Sequence, residues 1–220
     1  SLIGDVSTVT FSNTSVSTIT LESISPCVFK FGAFDGVGCY VNQVPMVLFT
    51  SNVSMVSSVF SSPATKVIST TTTNINIESC SFSDTNYQLS FRASQVFINK
   101  TLVTGSFSAI GGSVIIGATT FENIFNIEES LVYTNEMSFS NTIISPSIAR
   151  CEGRLLTSTI SINQSGSVNV LTISNSNMLI QSLDMTNTGE GTDTVALYLQ
   201  NSVIDLRAST LTTFGFGIVA

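Results

Sequence analysis

The chain contains no histidine and no tryptophan, and only 10% of its 220 residues are charged. Lack of histidine removes the commonest general base, proton shuttle and metal ligand together, which narrows the hydrolytic and metal-assisted chemistry open to it. Average soluble domains carry about a quarter charged residues, so a helical bundle, whose solvent faces need Lys, Glu and Arg, fits this composition poorly. The seven basic residues, Lys30, Lys66, Arg92, Lys100, Arg150, Arg154 and Arg207, are scattered, and the net charge is −7. No basic stripe exists to neutralise phosphates, so nucleic acid is not expected as a partner. Long apolar runs are missing too: stretches such as Val44 to Phe49 fall far short of the roughly 20 residues that cross a bilayer, and no membrane insertion is expected. Cysteine is sparse, and Cys27, Cys39, Cys80 and Cys151 lack the close pairing of zinc sites.

What the chain has instead is hydroxyls and large apolar side chains, with 36 Ser, 28 Thr and 15 Phe in a sequence of mean hydropathy +0.42. Disordered chains are poor in aromatic and β-branched residues, so this one folds. No linker-like stretch divides it, and residues 1–220 read as one domain. The start at Ser1 without a signal peptide is what a processed chain or an excised piece of a longer one shows.

A short repeat organises the chain. The segments VTFSNT (9–14), CSFSDT (80–85), TTFENI (119–124), MSFSNT (137–142) and LDMTNT (183–188) each place a large apolar residue before polar turn formers. Weaker copies extend the set to ten anchors: Phe11, Phe34, Phe60, Phe82, Leu102, Phe121, Phe139, Ile162, Met185 and Leu211. Their mean spacing is about 22 residues, a period that signals stacked coils. Positions seven and five before the anchor are each apolar in eight cases of ten, and that two-residue offset marks one face of a strand. The step from five before to the anchor is odd, so a bend or bulge must break the alternation between them. Two past the anchor stand residues such as Asn13, Gly36, Asp84, Asn123, Asn141 and Asn187, which tolerate the left-handed conformation and predict a turn in every coil. Ser or Thr directly before the anchor, including Thr101, is expected to face solvent. Lys100 then falls on a column otherwise apolar, which puts the rung anchored at Leu102 in conflict with its neighbours.

These features predict an all-β, parallel β-solenoid of about ten coils, each buried against the next. The pattern resembles the right-handed parallel β-helix of the pectin-lyase-like superfamily, over nearly the whole chain, in its repeat and not in any active-site motif. The resemblance implies an asparagine ladder at Asn13, Asn123, Asn141 and Asn187, and a family that acts on acidic polysaccharides. Ten rungs at about 4.8 Å would make a rod roughly 45–50 Å long. Cys80 and Cys151 would then lie about three rungs apart, too far for a disulfide, whereas Cys27 and Cys39 are close enough for one.

Catalytic and cofactor motifs are not found. Asp5, Asp35, Asp84, Asp184, Asp193 and Asp205 are isolated, no Asp-Asp pair occurs, and Gly111-Gly112 lacks the spacing and lysine of a phosphate loop. Glu128-Glu129 and the Glu190/Asp193 loop offer too few oxygens for Ca²⁺, which takes six to eight. No enzyme activity, metal or cofactor is therefore expected. The expected role is a structural or adhesive module, extracellular or at the cell surface, that meets protein or glycan and stacks end to end through its apolar end rungs. The candidate binding surface is a hydroxyl-x-hydroxyl face, Thr10/Ser12, Ser81/Ser83, Ser138/Ser140 and Thr210/Thr212, with Glu190 and Asp193 on a projecting loop. Two other roles stand beside it: polysaccharide binding or processing, which the fold resemblance favours and in which exposed Tyr or Phe would stack on sugar rings, and ice binding through the hydroxyl face. Sequons at Asn13, Asn52, Asn99 and Asn163 permit glycosylation in a secreted eukaryotic chain.

Overall fold

The computed structural model describes residues 74–83, 88–140, 146–162, 169–188, 193–212 and 215–220, and, for residues 20–69, the backbone of short strands only. Side chains are described throughout the first set except at positions 93 and 162. The architecture is a β-solenoid in which every strand pairing is parallel and no helix occurs among the described residues.

Each coil has three legs. In one coil the strand Gln88–Asn99 supplies two of them, bending between Arg92 and Ser94, and Leu102–Val103 supplies the third. The next coil repeats this with Ser106–Ile116 and Thr120–Phe121, and the one after with Phe125–Asn135 and Ser138–Ser140. First and second legs stack into a 16-stranded sheet, and third legs into a separate 10-stranded sheet. From Phe82 to Leu211 the third leg advances through Val103, Phe121, Phe139, Ile160 and Met185, six turns with a mean period near 21 residues. Ten coils are the expectation for the whole chain, of which this span is a part. The third-leg sheet runs on towards the N-terminus through Val59–Phe60, Tyr40–Val41 and Thr20–Leu21.

The stacking corrects three of the ten anchors. Val103, not Leu102, is buried beside Phe82 and Phe121, and Ile160, not Ile162, aligns with Phe139 and Met185. Phe34 belongs to the second leg, opposite Val53. Phe11 lies outside the described residues. With the register corrected, the inward columns of the second leg read Ile75, Val96, Val114, Val132, Gly153, Met178, Ile204 and Ile77, Ile98, Ile116, Thr134, Leu155, Ile180, Leu206. The rod interior is therefore two aliphatic stacks set against a phenylalanine cluster from the other two legs. Phe107, Phe121, Phe125 and Phe139 are fully buried, with ring centroids 4.8–5.7 Å apart, the range of favourable aromatic pairs.

The break in alternation falls three residues before the anchor in every described coil but that of Phe121, where Ala118 is not left-handed. Ser79, Lys100, Glu136, Thr157, Ser182 and Ala208 all have left-handed backbones, with φ between 45° and 60°. A second left-handed column, Glu129, Arg150, Asn175 and Asn201, marks the corner between the first and second legs, and Gly111 joins it in its own coil. The turn expected two past the anchor is not of this kind: Thr104 and Asn123 lack positive φ, and Asn187 is in a strand. Lys100 is thus an exposed corner residue, which resolves its conflict with the apolar column.

Small polar side chains follow both corners in many of the coils and repeat one hydrogen bond. Ser94, Ser130, Ser176 and Ser202 each donate to the carbonyl two residues earlier at 2.7–2.9 Å, and Cys151 stands in the same column with its Sγ on the Ala149 carbonyl. The backbone amides of Cys151 and Ser176 in turn donate to the Oγ of Ser176 and Ser202 one coil on. At the other corner Thr101, Ser158 and Ser209 repeat the bond to the carbonyl two back, and Cys80 places its Sγ on the Glu78 carbonyl. These ladders bond corner to corner and satisfy polar groups that burial would otherwise penalise. Thr101 is accordingly buried, not solvent-facing. Cys80 and Cys151 are buried in separate ladders; Cys39 and the side chain of Cys27 lie outside the described residues.

Candidate functional site

The outer face of the third leg carries the predicted hydroxyl array. Ser81, Leu102, Thr120, Ser138, Thr159, Asp184 and Thr210 stack in one outward column. Ser83, Thr104, Glu122, Ser140, Ser161, Thr186 and Thr212 follow each anchor in a second. Ser81, Ser83, Ser138, Ser140, Thr210 and Thr212 thus lie in these two columns. Corrected anchors add Thr159 and Ser161 as a further hydroxyl pair. Part of the array is spent internally: Thr120 Oγ1 and Ser138 Oγ lie 2.8 Å apart, and Thr104 Oγ1 donates to the Phe82 carbonyl at 2.9 Å. Thr10, Ser12 and Glu190 lie outside the described residues. Asp193 is exposed at a bend before Val195–Gln200 and lines a hollow of about 420 Å³ with Asn169, Val195, Phe216 and Val219.

A second surface was hidden by the misplaced anchor. Setting the rung on Leu102 turns Gln95 and Phe97 inward; setting it on Val103 turns them out, because a one-residue slip exchanges the two faces of a strand. Phe97, Ile115 and Tyr133 then stack in register on the outside of the second leg, 39%, 44% and 45% exposed. The signal that exposes the slip in the sequence is Lys100, a charge that an inward column does not accept unpaired.

Beside this stripe runs a groove of about 330 Å³, floored at Gly117 and flanked by Asn99 and Asn135. Gly117 lets the Asn99 amide pack close against it, since a Cβ there would stand 2.4 Å from Asn99 Oδ1. The strands fix the spacing, since Phe97, Ile115 and Tyr133 occupy successive rungs about 4.8 Å apart.

The ion pairs of Arg150 and Arg207 use neither the hydroxyl array nor Phe97, Ile115 and Tyr133. Arg150, at a left-handed corner, donates through Nε to Glu129 Oε1 at 2.9 Å and also contacts Glu128, and the hydrogen bond to Glu129 is the main cause of its raised pKa. Arg207 donates through Nε to both oxygens of Asp205 at 3.0 Å and holds that carboxyl below its ordinary pKa. Glu128 and Glu129 therefore engage an arginine. Among the described residues no group of three or more Cys, Asp or Glu is placed to hold a metal ion. Of the four positions at which the family resemblance implies an asparagine ladder, Asn123 and Asn187 lie among the described residues. Asn187 is buried opposite Ile162, with its Nδ2 3.5 Å from Thr194 Oγ1. Asparagines do meet across coils at a corner, Asn201 Nδ2 to Asn175 Oδ1 at 3.5 Å. Asn13 and Asn141 lie outside the described residues.

No protein-family model, no curated protein and no solved structure matches the chain.

Proposed function

We propose that this chain is a non-catalytic β-solenoid module, extracellular or at the cell surface, that adheres to a partner through the side of its rod. The observation that carries this is the exposed stripe Phe97, Ile115 and Tyr133. Three large apolar side chains in consecutive rungs, on a flat parallel sheet, form the sort of contiguous apolar surface that marks an interaction site. The ladders at both corners support a stiff scaffold on which such a stripe keeps its shape. The pectin-lyase-like resemblance enters only as repeat pattern, because fold does not bring function with it.

The test is retention of cells or matrix material on protein-coated beads, with the soluble phase assayed for chain cleavage. Saturable retention that leaves the partner's covalent structure intact is expected. New reducing ends or unsaturated sugar products would make the protein a polysaccharide-processing enzyme instead. A second role, ice binding, is favoured by one observation: with corrected anchors, hydroxyls fill both outward positions on the rungs of Phe82, Phe139, Ile160 and Leu211. Leu102, Glu122 and Asp184 interrupt the array. Thermal hysteresis at high protein concentration decides it, and its absence ends that alternative.

A further inference from the structure

We infer that the groove over Gly117 is a binding site for an uncharged glycan chain lying along the rod; this deepens the adhesive role proposed above and rests on it. The lining is the first ground. Phe97 and Tyr133 present ring surface two rungs apart, about 10 Å at sheet spacing, with Ile115 between them. Aromatic side chains combine a broad apolar face with little conformational entropy to lose on binding, and the apolar faces of sugar rings pack on such surfaces. Amides are the second ground. Asn99 and Asn135 border the same groove, and each brings both a donor and an acceptor, which is the pairing that sugar hydroxyls need.

Charge selects within the glycans. No ionisable acid or base of the Asp, Glu, Lys or Arg type lines the groove. The nearest charges in register are opposite in sign: Glu78 pairs with Asn99 on one side, and Arg154 with Tyr133 on the other. They offer no concentrated positive field for a polyanion, and the chain as a whole carries −7, which opposes approach of an acidic polymer. The ligand assigned here therefore differs in charge from the acidic polysaccharides that the family resemblance implies.

The experiment uses the chain produced in bacteria, so that the sequon Asn99-Lys100-Thr101 stays bare and no attached sugar fills the groove. Calorimetric titration is run with the neutral hexaoses of cellulose, xylan and mannan, and with oligogalacturonate as the acidic comparator. Binding of at least one neutral hexaose is expected, with little or none of the acidic chain. F97A and Y133A should each weaken that binding ten-fold or more. S83A and S161A, on the hydroxyl face, should leave it unchanged. All four positions point outward, and matching circular dichroism with unchanged melting temperature establishes that the variants fold. No neutral binding, equal loss in the hydroxyl-face variants, or preference for oligogalacturonate would each overturn the assignment. Bead retention separates the two ideas: retention without neutral-glycan binding refutes the glycan site and leaves adhesion standing, whereas loss of both refutes adhesion as well.

Discussion

Thr119 occupies the corner column shared by Cys80, Thr101, Met137, Ser158, Leu183 and Ser209, yet its hydroxyl is fully buried with no hydrogen-bond partner. Its neighbours in the column either bond back to a carbonyl or are apolar. A buried hydroxyl left unpaired costs on the order of 1–3 kcal/mol. Thr119→Val keeps the shape and removes that cost, so we expect it to stabilise the rod by about 1 kcal/mol, seen as a melting temperature about 2–4 °C higher. A fall in melting temperature would show that the hydroxyl is satisfied after all.

Cys151 makes a second residue-scale case. Burial is the main cause of its raised pKa, above the ordinary 9.0. The native state then holds the proton more tightly than the unfolded chain does, so this contribution to stability is fully present below the ordinary thiol pKa and is lost as pH rises through the raised one. Cys151→Ser should fold normally, because Ser130 and Ser176 occupy the same column in adjacent coils. It should also flatten the decline of melting temperature above about pH 9, the ordinary thiol value. Both described thiols are buried, and alkylation with iodoacetamide should be slow at neutral pH until denaturant is added; rapid labelling of the native chain at either position would contradict the ladder geometry.

At the scale of the strand, close approach and register decide the cost of change. Gly153 sits in the inward column between Val132 and Met178 with φ 149°, and an added Cβ would meet the Val132 carbonyl oxygen at 1.8 Å. Backbone, not a movable side chain, blocks the space. Gly153→Ala is expected to destabilise by more than about 1 kcal/mol, beyond the range of ordinary surface changes, in a denaturant titration. Phe121 makes the opposite kind of contribution. It touches Phe107, Phe125 and Phe139 at once, and Phe121→Ala should cost about 3–5 kcal/mol, the usual loss for a buried aromatic.

Legibility at this scale followed the anchors. At Phe82, Phe121, Phe139 and Met185 the inward columns could be read directly from spacing, whereas Phe34 falls on a leg other than theirs. Where Leu102-Val103 and Ile160-Ser161-Ile162 offered two apolar candidates, the choice was ambiguous, and a shift of one residue at Leu102 concealed Phe97. The corners were illegible for a different reason. At the corner three residues before the anchor, the left-handed positions carry Ser, Lys, Glu, Thr and Ala, none of which has the conformational preference of Gly or Asn; stacking between coils, not local propensity, holds them there. The hydroxyl face could be read because its Ser and Thr flank clear anchors. The groove over Gly117 could not, because it depends on three strands taken together.

Across the whole molecule, each coil touches only the coils before and after it, so stability is close to a sum of rung and interface contributions. The effect of Gly153→Ala should therefore be local. Hydrogen exchange is expected to accelerate in strands Phe125–Asn135, Glu152–Leu156 and Asn177–Gln181, while amides near Ile77 and Phe82 keep their protection. Uniform acceleration along the rod would mean that it opens as a single cooperative unit.

The corner ladders and the parallel sheets share one direction: their bonds between coils run along the rod, whereas the covalent chain runs around it. Tension applied between the two ends thus loads non-covalent bonds in series and reaches the peptide backbone only after a coil has peeled away. A coil of about 21 residues releases roughly 70 Å of extended chain. Stretched between a surface and a tethered particle, the rod would lengthen in steps of about that size, each absorbing work before the next coil bears the load. A module that grips through its side would in this way act as a tether that yields by increments and rewinds when the pull is relaxed.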